Sequence, residues 1–525
     1  MKRICTKVSS IVVLGIIIMM TAGCKKESGG KNTSAPVTIE LWYGPGQSEA
    51  GAPPADWIVL KKIKDELNID LKLTAVPSNE NDFDVKIQAA GAANSLPDLF
   101  MVNRPVLRRL VEQNLVASVD DIYDLMPVRT AAQYSDAAKR YTTFNGKSYG
   151  LASPGSIIKN EGVVIRKDWL DKLGLKEPVT LQDYYNVMKA FSTKDPDGNG
   201  KDDTFGYGAF LELNSYEEGL GRRYDPFFGA YGVAGTWNLS KTNFGLNIHN
   251  PAYFDALLYI KSLYDGPVID PNSISYRRDD FRAAWKQGRF GLMREGNGAL
   301  AAESNYAVFD KNFPDGSWEV IDPPTGPNGK KSVGVMVQTY RIYAISKKSA
   351  DSGKKVAIAK LLEWMSSKEG YFLIGFGEKD INYTLNEQGV PVVNGLADPE
   401  KAFTKPAMQP LTQLKNLVYY NSDIELQSRY PTYKAPKSGR TMSALTVLKD
   451  MQTRDWTMNI GADTMPLPDT DLKRFYEQGI SEFITGAKKL TKEDWNTFIV
   501  EFDKLGGKKW EEDGIAYAKE CNLLY

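Results

Sequence analysis

The chain has 525 residues, of which 42% are apolar and 25% are charged, a composition typical of soluble globular proteins. At about 100–200 residues per domain, this length suggests more than one domain. The 65 basic and 65 acidic residues cancel, which argues against a nucleic-acid partner, because phosphate binding needs a basic face. Because the chain has a single histidine, His249, it cannot form a zinc site with two imidazole ligands. Any Ser-His-Asp triad would have to use this residue.

The first 23 residues have the pattern of a secretory signal peptide. A basic start precedes an apolar run from Val8 to Met20, which is shorter than the roughly 20 residues that span a bilayer. Small residues then lead to Cys24, and this arrangement resembles the bacterial lipobox, in which the cysteine is lipidated and becomes the new N-terminus. Thr21 stands where the lipobox usually has leucine. The alternative is a plain signal peptide followed by an unmodified cysteine.

The cysteines and the segment after Cys24 agree with a membrane anchor. With Cys5 in the leader and Cys24 lipidated, Cys521 is the remaining thiol, so no intramolecular disulfide can form. Acyl chains such as palmitate on Cys24 would tether the chain, each buried methylene contributing about 0.8 kcal/mol. We therefore predict a signal peptide over 1–23, a lipidated cysteine and flexible linker over 24–36, and a location on the extracytoplasmic face of the cell membrane.

Beyond the linker the pattern is mixed α/β. Residues 37–43 alternate apolar and polar side chains as a strand does, and apolar residues then recur at helical spacing up to Leu67. A second alternating run covers 69–75, and a helix-like stretch precedes the short apolar run 99–102. This order of strands and helices predicts a parallel sheet covered by helices.

Later elements follow the same pattern. Thr180 with Asp183, and Thr491 with Asp494, are capping boxes that predict helix starts. Further apolar patterns predict elements at the positions that follow: a helix over 279–287, a strand over 290–293, a strand over 340–345 and a helix over about 355–365. Because this α/β pattern is too long for one sheet, we expect two lobes.

Six segments in a fixed order carry a family resemblance: SLPDL at 95–99, VIRKDWLDKLG at 164–174, DPDGNGKDD at 195–203, GRFGLM at 288–293, EWMSSKEG at 363–370 and ITG at 484–486. Together they resemble the family 1 extracellular solute-binding proteins of carbohydrate ABC importers, in particular the large oligosaccharide-binding lipoproteins. The resemblance covers nearly all of the predicted mature chain.

The resemblance implies an α/β fold of the type II periplasmic-binding-protein kind, with a ligand cleft between two lobes. One lobe would hold 37–152 plus about 338–420, and the other 153–337 plus about 421–525. Such a protein is not an enzyme: hinge closure captures an oligosaccharide, and permease subunits of an ABC importer receive it. The resemblance also implies a monomer on the surface of a Gram-positive cell.

A sugar site needs aromatic platforms and polar side chains around them. Trp42 and Tyr43 stand where the first strand ends, at the edge where open α/β sheets bind ligands, although packing under the adjoining loop is an equal alternative. Trp237 lies in a Gly-rich, irregular stretch, which favours a platform over core packing. Trp285 shares a helix face with Phe281, so core packing is slightly favoured over ligand contact.

Three further residues complete the predicted ligand-binding set. Arg294 and Glu295 follow a predicted strand and precede Gly296, which predicts a loop at the cleft, with a solvated charge pair as the alternative. Trp456 has polar neighbours, and the resemblance implies a sugar contact from the C-terminal lobe.

An aspartate-rich loop predicts a structural calcium site. Oxygen donors stand at positions 1, 3, 5, 7 (a backbone carbonyl) and 9 of an EF-hand-like loop, namely at Asp195, Asp197, Asn199, Lys201 and Asp203. Position 12, normally a bidentate glutamate, is Gly206, so Thr204, another segment or water would complete the coordination. A solvated Asp/Gly turn is the alternative. The family resemblance supports calcium as a cofactor that pins this loop.

Two other functions stay open. A glycoside hydrolase, as a secreted polysaccharide-active enzyme, needs only two carboxylates placed in three dimensions. A binding protein for peptides or another solute could use the same fold. His249, which precedes Asn250-Pro251 at a predicted helix start, is expected to be structural rather than catalytic.

Overall fold

The structure is a computed structural model that describes residues 35–44, 56–77, 80–127, 136–152, 159–211, 222–336, 342–392, 413–418, 426–427 and 430–524. The predicted signal peptide and Cys24 lie outside these residues. Within the described part of the chain, no helix has the length and apolar character needed to cross a bilayer.

Strands and helices alternate along most of the chain. The strands are β1 (Val37–Tyr43), β2 (Ile69–Ala75), β3 (Leu99–Val102), β4 (Thr143–Phe144), β5 (Lys147–Ser148), β6 (Leu151–Ala152), β7 (Glu161–Arg166), β8 (Phe205–Gly208), β9 (Trp237–Asn238), β10 (Gly245–Leu246), β11 (Phe290–Gly296), β12 (Trp318–Ile321), β13 (Ser332–Met336), β14 (Ile342–Ile345), β15 (Thr384–Leu385), β16 (Pro391–Val392), β17 (Tyr433–Lys434), β18 (Thr441–Met442) and β19 (Thr457–Ile460). The helices are α1 (Ile58–Leu67), α2 (Glu80–Ala92), α3 (Arg104–Glu112), α4 (Asp136–Tyr141), α5 (Lys167–Lys172), α6 (Leu181–Thr193), α7 (Asp225–Ala230), α8 (Pro251–Asp265), α9 (Arg278–Lys286), α10 (Asn297–Ala301), α11 (Glu303–Asn312), α12 (Lys347–Asp351), α13 (Lys355–Ser366), α14 (Lys368–Phe376), α15 (Ala444–Thr453), α16 (Thr470–Thr485), α17 (Lys492–Lys504) and α18 (Gly507–Glu520).

The first sheet has the strand order β2-β1-β3-β14-β6. β1 pairs in parallel with β2 and β3, whereas β14 is antiparallel to β3 and to β6. Both faces are covered. Leu41 and Tyr43 of β1 point to one apolar core with α1, α13 and α14, while Phe100 and Val102 of β3 point to a second core with α2 and α3. The carboxyl ends of β1, β2 and β3 therefore meet at one edge, where open α/β sheets bind ligands.

The second sheet has the strand order β12-β7-β11-β8. β7 is antiparallel to β12 and β11, β8 is parallel to β11, and β7 is buried along its whole length. The register pairs Glu161 with Gly296 and Met293 with Gly208. The start of β7 and the ends of β11 and β8 thus lie at the same edge of this sheet.

The two sheets belong to separate apolar cores. The cores of the first sheet draw on residues between 39 and 152 and between 342 and 418, and the core of the second sheet draws on residues between 163 and 333 and between 435 and 523. The chain passes between them after Ala152, Met336 and Val418. β13 and β19 pair in parallel beside the second of these crossings. The molecule therefore has two lobes.

His249 fixes the start of α8 to the C-terminal helices. Its Nδ1 lies 2.9 Å from Oε2 of Glu511 on α18, and its Nε2 lies 3.0 Å from Oδ1 of Asp503 on α17. Burial alone would lower the pKa of His249, but the hydrogen bond and charge of Glu511, together with Asp503, outweigh burial and raise it. The ring is therefore structural, and its charged form is the one that the fold stabilises.

We predict that His249→Gln lowers the free energy of unfolding by about 1 kcal/mol at about pH 6 and by clearly less at about pH 8.5. The folded-state pKa is raised, so the stabilisation is fully present below the unfolded-state pKa and is lost as the pH rises through the folded-state pKa. Urea unfolding of both proteins at the two pH values measures this difference. An equal loss at both values would contradict the ion-pair explanation.

Candidate functional site

Two linked groups of buried charges occupy the edge of the second sheet where β7 starts. In the first group, Nη2 of Arg294 on β11 lies 3.1 Å from Oε2 of Glu161, and its Nη1 lies 3.7 Å from Oδ2 of Asp225 at the start of α7. Oδ1 of Asp225 also accepts a hydrogen bond from the backbone N–H of Gly235 at 3.0 Å. Arg294 therefore joins two strands and one helix at this edge.

The second group surrounds Glu295. Its Oε2 lies 3.2 Å from Nε of Arg282 on α9, and its Oε1 lies 3.5 Å from Nη1 of Arg223. Arg223 also donates a hydrogen bond to the backbone carbonyl of Arg294, which links the two groups. Burial alone would raise the pKa of Glu295, but the charges of Arg282 and Arg223 outweigh burial and lower it. Glu295 is therefore ionised at neutral pH and cannot act as the proton donor of a glycosidase.

Arg294 and Glu295 lie in a strand, not in the predicted cleft loop. β11 continues to Gly296 because it pairs with β7 through the register Arg294–Val163 and Glu295–Gly162. Both side chains are almost wholly buried, at 0% and 1% exposure, so they are not the solvated charge pair of the alternative prediction. Each of these buried charges has a partner of opposite charge, and removing that partner would leave an uncompensated buried charge.

Trp456 lies at the same end of β7. A Cβ atom on Gly162 would be 3.2 Å from Cη2 of Trp456, so the glycine makes room for the indole. Nζ of Lys159 lies 5.6 Å from the ring centroid, and this lysine also donates to the backbone carbonyl of Arg454. The indole is only 4% exposed and belongs to the apolar core of the second lobe. Trp456, Arg294 and Glu295 therefore all lie at the end of the second sheet where β7 starts.

A polar cavity of about 450 Å³ lies beside the segment that carries Trp456. Arg454 lines it, with Nη2 donating to the carbonyl of Val320 at 2.6 Å and Nε lying 3.1 Å from Oδ1 of Asp450. Asp322 lies between two cations, with Oδ1 3.8 Å from Nη1 of Arg454 and Oδ2 2.8 Å from Nζ of Lys331. Burial raises the pKa of Glu177, the third acid near Arg454, although the charge of Arg454 lowers it in part.

The other four predicted aromatic contacts do not lie at this end of the second sheet; two of them, Trp42 and Tyr43, stand at the end of β1 in the first lobe. Tyr43 is fully buried in the core of the first lobe, where burial and Tyr343 raise its pKa to about 12. Trp42 is half-buried; its Nε1 donates to Oε1 of Glu40 at 2.7 Å, and Nζ of Lys86 lies 4.6 Å from its ring centroid.

Trp237 and Trp285 are core residues of the second lobe, at 1% and 0% exposure. The hairpin of β9 and β10 turns Trp237 inward, where it packs edge-to-face on Trp510 at a centroid distance of 5.5 Å and stacks on Phe244 at 6.3 Å. Trp285 packs edge-to-face on Trp318 at 6.1 Å. Neither ring has a free face for a ligand. Trp237 was predicted to be a ligand platform in an irregular segment, but the structure places it in the core of the second lobe.

The aspartate-rich loop lies at the opposite edge of the second sheet, between α6 and β8. The carboxylate of Asp195 accepts backbone hydrogen bonds from Gly198, Asn199 and Gly200 at 2.9–3.0 Å. Nδ2 of Asn199 donates to Oδ2 of Asp197 at 2.8 Å and to Oδ1 of Asp203 at 3.1 Å. Desolvation and the hydrogen bond with Asp195 raise the pKa of Asp197.

Among the residues with described side chains, no group of three or more His, Cys, Asp or Glu is placed so that it could hold a metal ion. The loop oxygens nevertheless converge, because one amide nitrogen of Asn199 reaches two of the three carboxylates. This donor set of carboxylate, amide and carbonyl oxygens is the one that Ca²⁺ prefers.

Four residues of the edge were not foreseen from the sequence: Glu161, Arg223, Asp225 and Arg282. Their partners are up to about 130 residues away in the chain, and no local spacing signals such contacts.

Three comparisons with known proteins give a consistent result. A family model described as bacterial extracellular solute-binding protein matches residues 49–371. The chain is 26% identical over 462 residues to the polygalacturonan/rhamnogalacturonan-binding protein YtcQ of Bacillus subtilis, covering 82% of this chain and 87% of that one. It is 25% identical to the lipoprotein LipO of the same organism, over 72% of this chain and 74% of the relative.

A solved structure extends the similarity to the fold. The structure of the ABC-transporter substrate-binding protein FusA of S. pneumoniae, an EF-hand mutant in complex with fructo-nystose, superposes with a TM-score of 0.64 at 17% identity. The match covers 92% of this chain and 99% of that chain. The predicted two-lobe α/β fold is thereby confirmed.

Proposed function

The chain belongs to the bacterial extracellular solute-binding proteins, and we propose that it captures an oligosaccharide between its two lobes and delivers it to the permease of an ABC importer. The observation that carries this proposal is the 26% identity to a polygalacturonan/rhamnogalacturonan-binding protein over 82% of the chain. The lobe architecture supports it, because two separate cores joined by crossings can close on a ligand.

We place the ligand between the strand-end edges of the two sheets. On the first lobe this edge holds the ends of β1, β2 and β3, and on the second lobe it holds the start of β7 with Trp456, Arg294 and Glu295. The charged side chains at the edge of the second lobe are paired with one another, so their polar atoms are held in place and no unpaired charge has to be neutralised by the ligand. Such a site suits hydroxyl-rich ligands. Arg294 and Glu295 would act by holding the edge in shape, and Trp456 by lining it.

We also propose that the mature chain is a monomer anchored through lipid on Cys24, on the extracytoplasmic face of a Gram-positive cell membrane. The lipobox-like sequence before Cys24 supports this location, as does the similarity to a protein named as a lipoprotein. The family of extracellular binding proteins agrees with it.

Calcium is the cofactor that we propose for the aspartate-rich loop. The converging oxygens of Asp195, Asp197, Asn199 and Asp203, with the backbone carbonyl of Lys201, fit its preferences. A bound ion would take the place that Nδ2 of Asn199 fills between the carboxylates. The loop lies away from the proposed ligand edge, so the ion would hold α6 against β8 and have no role in ligand contact.

The first prediction of this function is a ligand-dependent rise in the midpoint of thermal unfolding. The chain carrying Cys24→Ser is heated with oligogalacturonides, rhamnogalacturonan fragments, fructo-oligosaccharides and peptides. A specific ligand at a hundred times its Kd stabilises the native state by about 2.7 kcal/mol, which corresponds to about 2 °C for a chain of this size. We expect this shift with one saccharide class and no new reducing ends.

Other outcomes discriminate the alternatives. Release of reducing ends from a saccharide would identify a glycoside hydrolase, and a shift with peptides alone would keep the fold and overturn the sugar assignment. Monogalacturonate and fructose serve as controls for effects of the monomer units.

The second prediction compares two tryptophans. Trp456→Ala should weaken binding of the ligand found above by about 1–3 kcal/mol, because it removes apolar surface at the ligand edge. Trp237→Ala should instead lower the free energy of unfolding by about 3–5 kcal/mol, because Trp237 is packed in the core, and leave the affinity of the folded protein unchanged. Isothermal titration and urea unfolding of both variants test this; equal affinity losses would contradict the assignment.

The third prediction concerns calcium. Calcium at a hundred times its Kd should stabilise the protein by about 2.7 kcal/mol relative to EDTA, and Asp197→Ala should abolish the effect. Lys201→Ala is the matched control, since that position would contribute only its backbone carbonyl. A calcium-dependent midpoint that survives Asp197→Ala would place the ion elsewhere.

A further inference from the structure

One extended segment of the second lobe has all its carbonyl groups engaged by side chains. We call this segment, Thr464-Met465-Pro466-Leu467-Pro468, the strap; it lies between β19 and α16. Its two prolines have no N–H, so part of its hydrogen-bonding capacity is restricted to carbonyl oxygens. Met465 belongs to the core of the second lobe.

Two arginines of the first lobe bind the strap at both ends. Nη1 and Nη2 of Arg104 donate to the carbonyls of Met465 at 2.8 Å and Thr464 at 3.1 Å. Nη1 and Nη2 of Arg108 donate to the carbonyls of Leu467 and Pro468, both at 3.0 Å. The arginines are one turn apart on α3, so they present their guanidinium groups along the same helix face.

The middle carbonyl is held from the strap's own lobe. Nε1 of Trp510 on α18 donates to the carbonyl of Pro466 at 2.7 Å, and Trp510 packs on Trp237 in the core. The strap is thus fixed to the second lobe at its centre and to the first lobe on either side.

The side chain of Arg104 is also held in place by residues of the first lobe. It is only 4% exposed, its Nε donates to the carbonyl of Tyr141 at 3.0 Å, and its guanidinium lies 5.4 Å from the ring centroid of Tyr141. Its place at the start of α3, the positive end of the helix dipole, disfavours a cation. No carboxylate of the described residues forms an ion pair with Arg104. The strap carbonyls, the carbonyl of Tyr141 and the rings of Tyr141 and Phe144 are the described groups that surround its guanidinium.

The strap also lies beside a crossing between the lobes. It follows β19, which pairs with β13, and β13 leads along the chain to β14 of the first lobe. The preceding turn, Ala462–Thr464, packs against α4 of the first lobe. The strap is therefore one of the places where the two lobes are in contact.

We propose that Arg104 and Arg108 are positioning residues that clamp the strap and so hold the two lobes in the arrangement seen here. Breaking the clamp allows the lobes to open further, and it lowers ligand affinity because a smaller fraction of the protein is competent to bind. The consequence for affinity rests on the proposed function; the consequence for lobe geometry does not.

The test measures the distance between the lobes without ligand. Spin labels at Val356→Cys on α13 and Val500→Cys on α17, both exposed side chains, are placed in the full chain carrying Cys5→Ser, Cys24→Ser and Cys521→Ser. Variants are Arg108→Ala, Arg104→Lys and Arg104→Ala/Arg108→Ala. Arg109→Ala is the matched control, since Arg109 shares α3 but lines a groove against α2.

We expect the double variant to give a longer and broader distance distribution, with Arg104→Lys between it and the parent because an ammonium group cannot bind two carbonyls as a fork. Affinity for the ligand should fall about tenfold in the double variant, and Arg109→Ala should match the parent. If the buried Arg104 variants do not fold, Arg108→Ala alone decides, because that side chain is 21% exposed.

An unchanged distance distribution in folded Arg108→Ala and double variants overturns the clamp. Tighter ligand binding together with a broader distance distribution would contradict the proposed effect of the clamp on affinity. If no saccharide binds the parent protein, the proposed function fails while the distance measurement still decides the clamp.

Discussion

The two larger sheets of this protein are buried in the apolar cores of separate lobes, and the rest of the structure depends on this constraint. Alternate residues of β1 and β3 enter cores on opposite faces of the first sheet, and β7 is buried along its length in the second. Most of the buried apolar side chains belong to these separate cores. Among the described residues, the contacts that join the lobes include hydrogen bonds from Arg104 and Arg108 to backbone carbonyls, and polar contacts favour relative motion more than a continuous apolar interface would.

The same constraint concentrates polar chemistry at the strand ends. Helices cover the faces of a sheet but leave its edges open where the strands stop, and at the start of β7 the second lobe fills this edge with paired charges. Burying such groups costs free energy that their mutual attraction only partly offsets. We therefore infer that they serve to fix the relative positions of the elements at this edge rather than to stabilise the fold. From its place on β11, the side chain of Arg294 reaches Glu161 on β7 and Asp225 on α7, which a hydrophobic side chain could not align in the same way.

Local patterns predicted the local structure well. The alternating run 37–43 is β1, and the capping boxes at Thr180 and Thr491 start α6 and α17. The strand predicted over 290–293 continues to Gly296, because pairing with β7 extends it beyond its apolar residues. Trp237 shows the limit more clearly. Its glycine-rich surroundings favour an irregular segment, yet Gly514, far along the chain, leaves the space that its ring enters.

The candidate site was harder to predict because its contacts join distant positions. Arg294 and Glu295 were expected near the cleft, but the partners that define them lie on β7, α7 and α9. No sequence pattern pairs Glu161 with Arg294, since the register of two strands decides it. The ordered motifs that carry the family resemblance predict the fold. Ligand specificity depends instead on side chains from distant positions, which come together only in the folded protein.

The contacts between the lobes have the chemistry that a movable joint requires. A guanidinium bound to backbone carbonyls exchanges readily with water on both sides, because neither partner is left as an unpaired ion when they separate: the arginine becomes hydrated and the carbonyls accept from solvent. A buried carboxylate partner for Arg104 would have cost far more to separate. The strap thus joins the lobes through hydrogen bonds that water can replace on both sides when the lobes move apart.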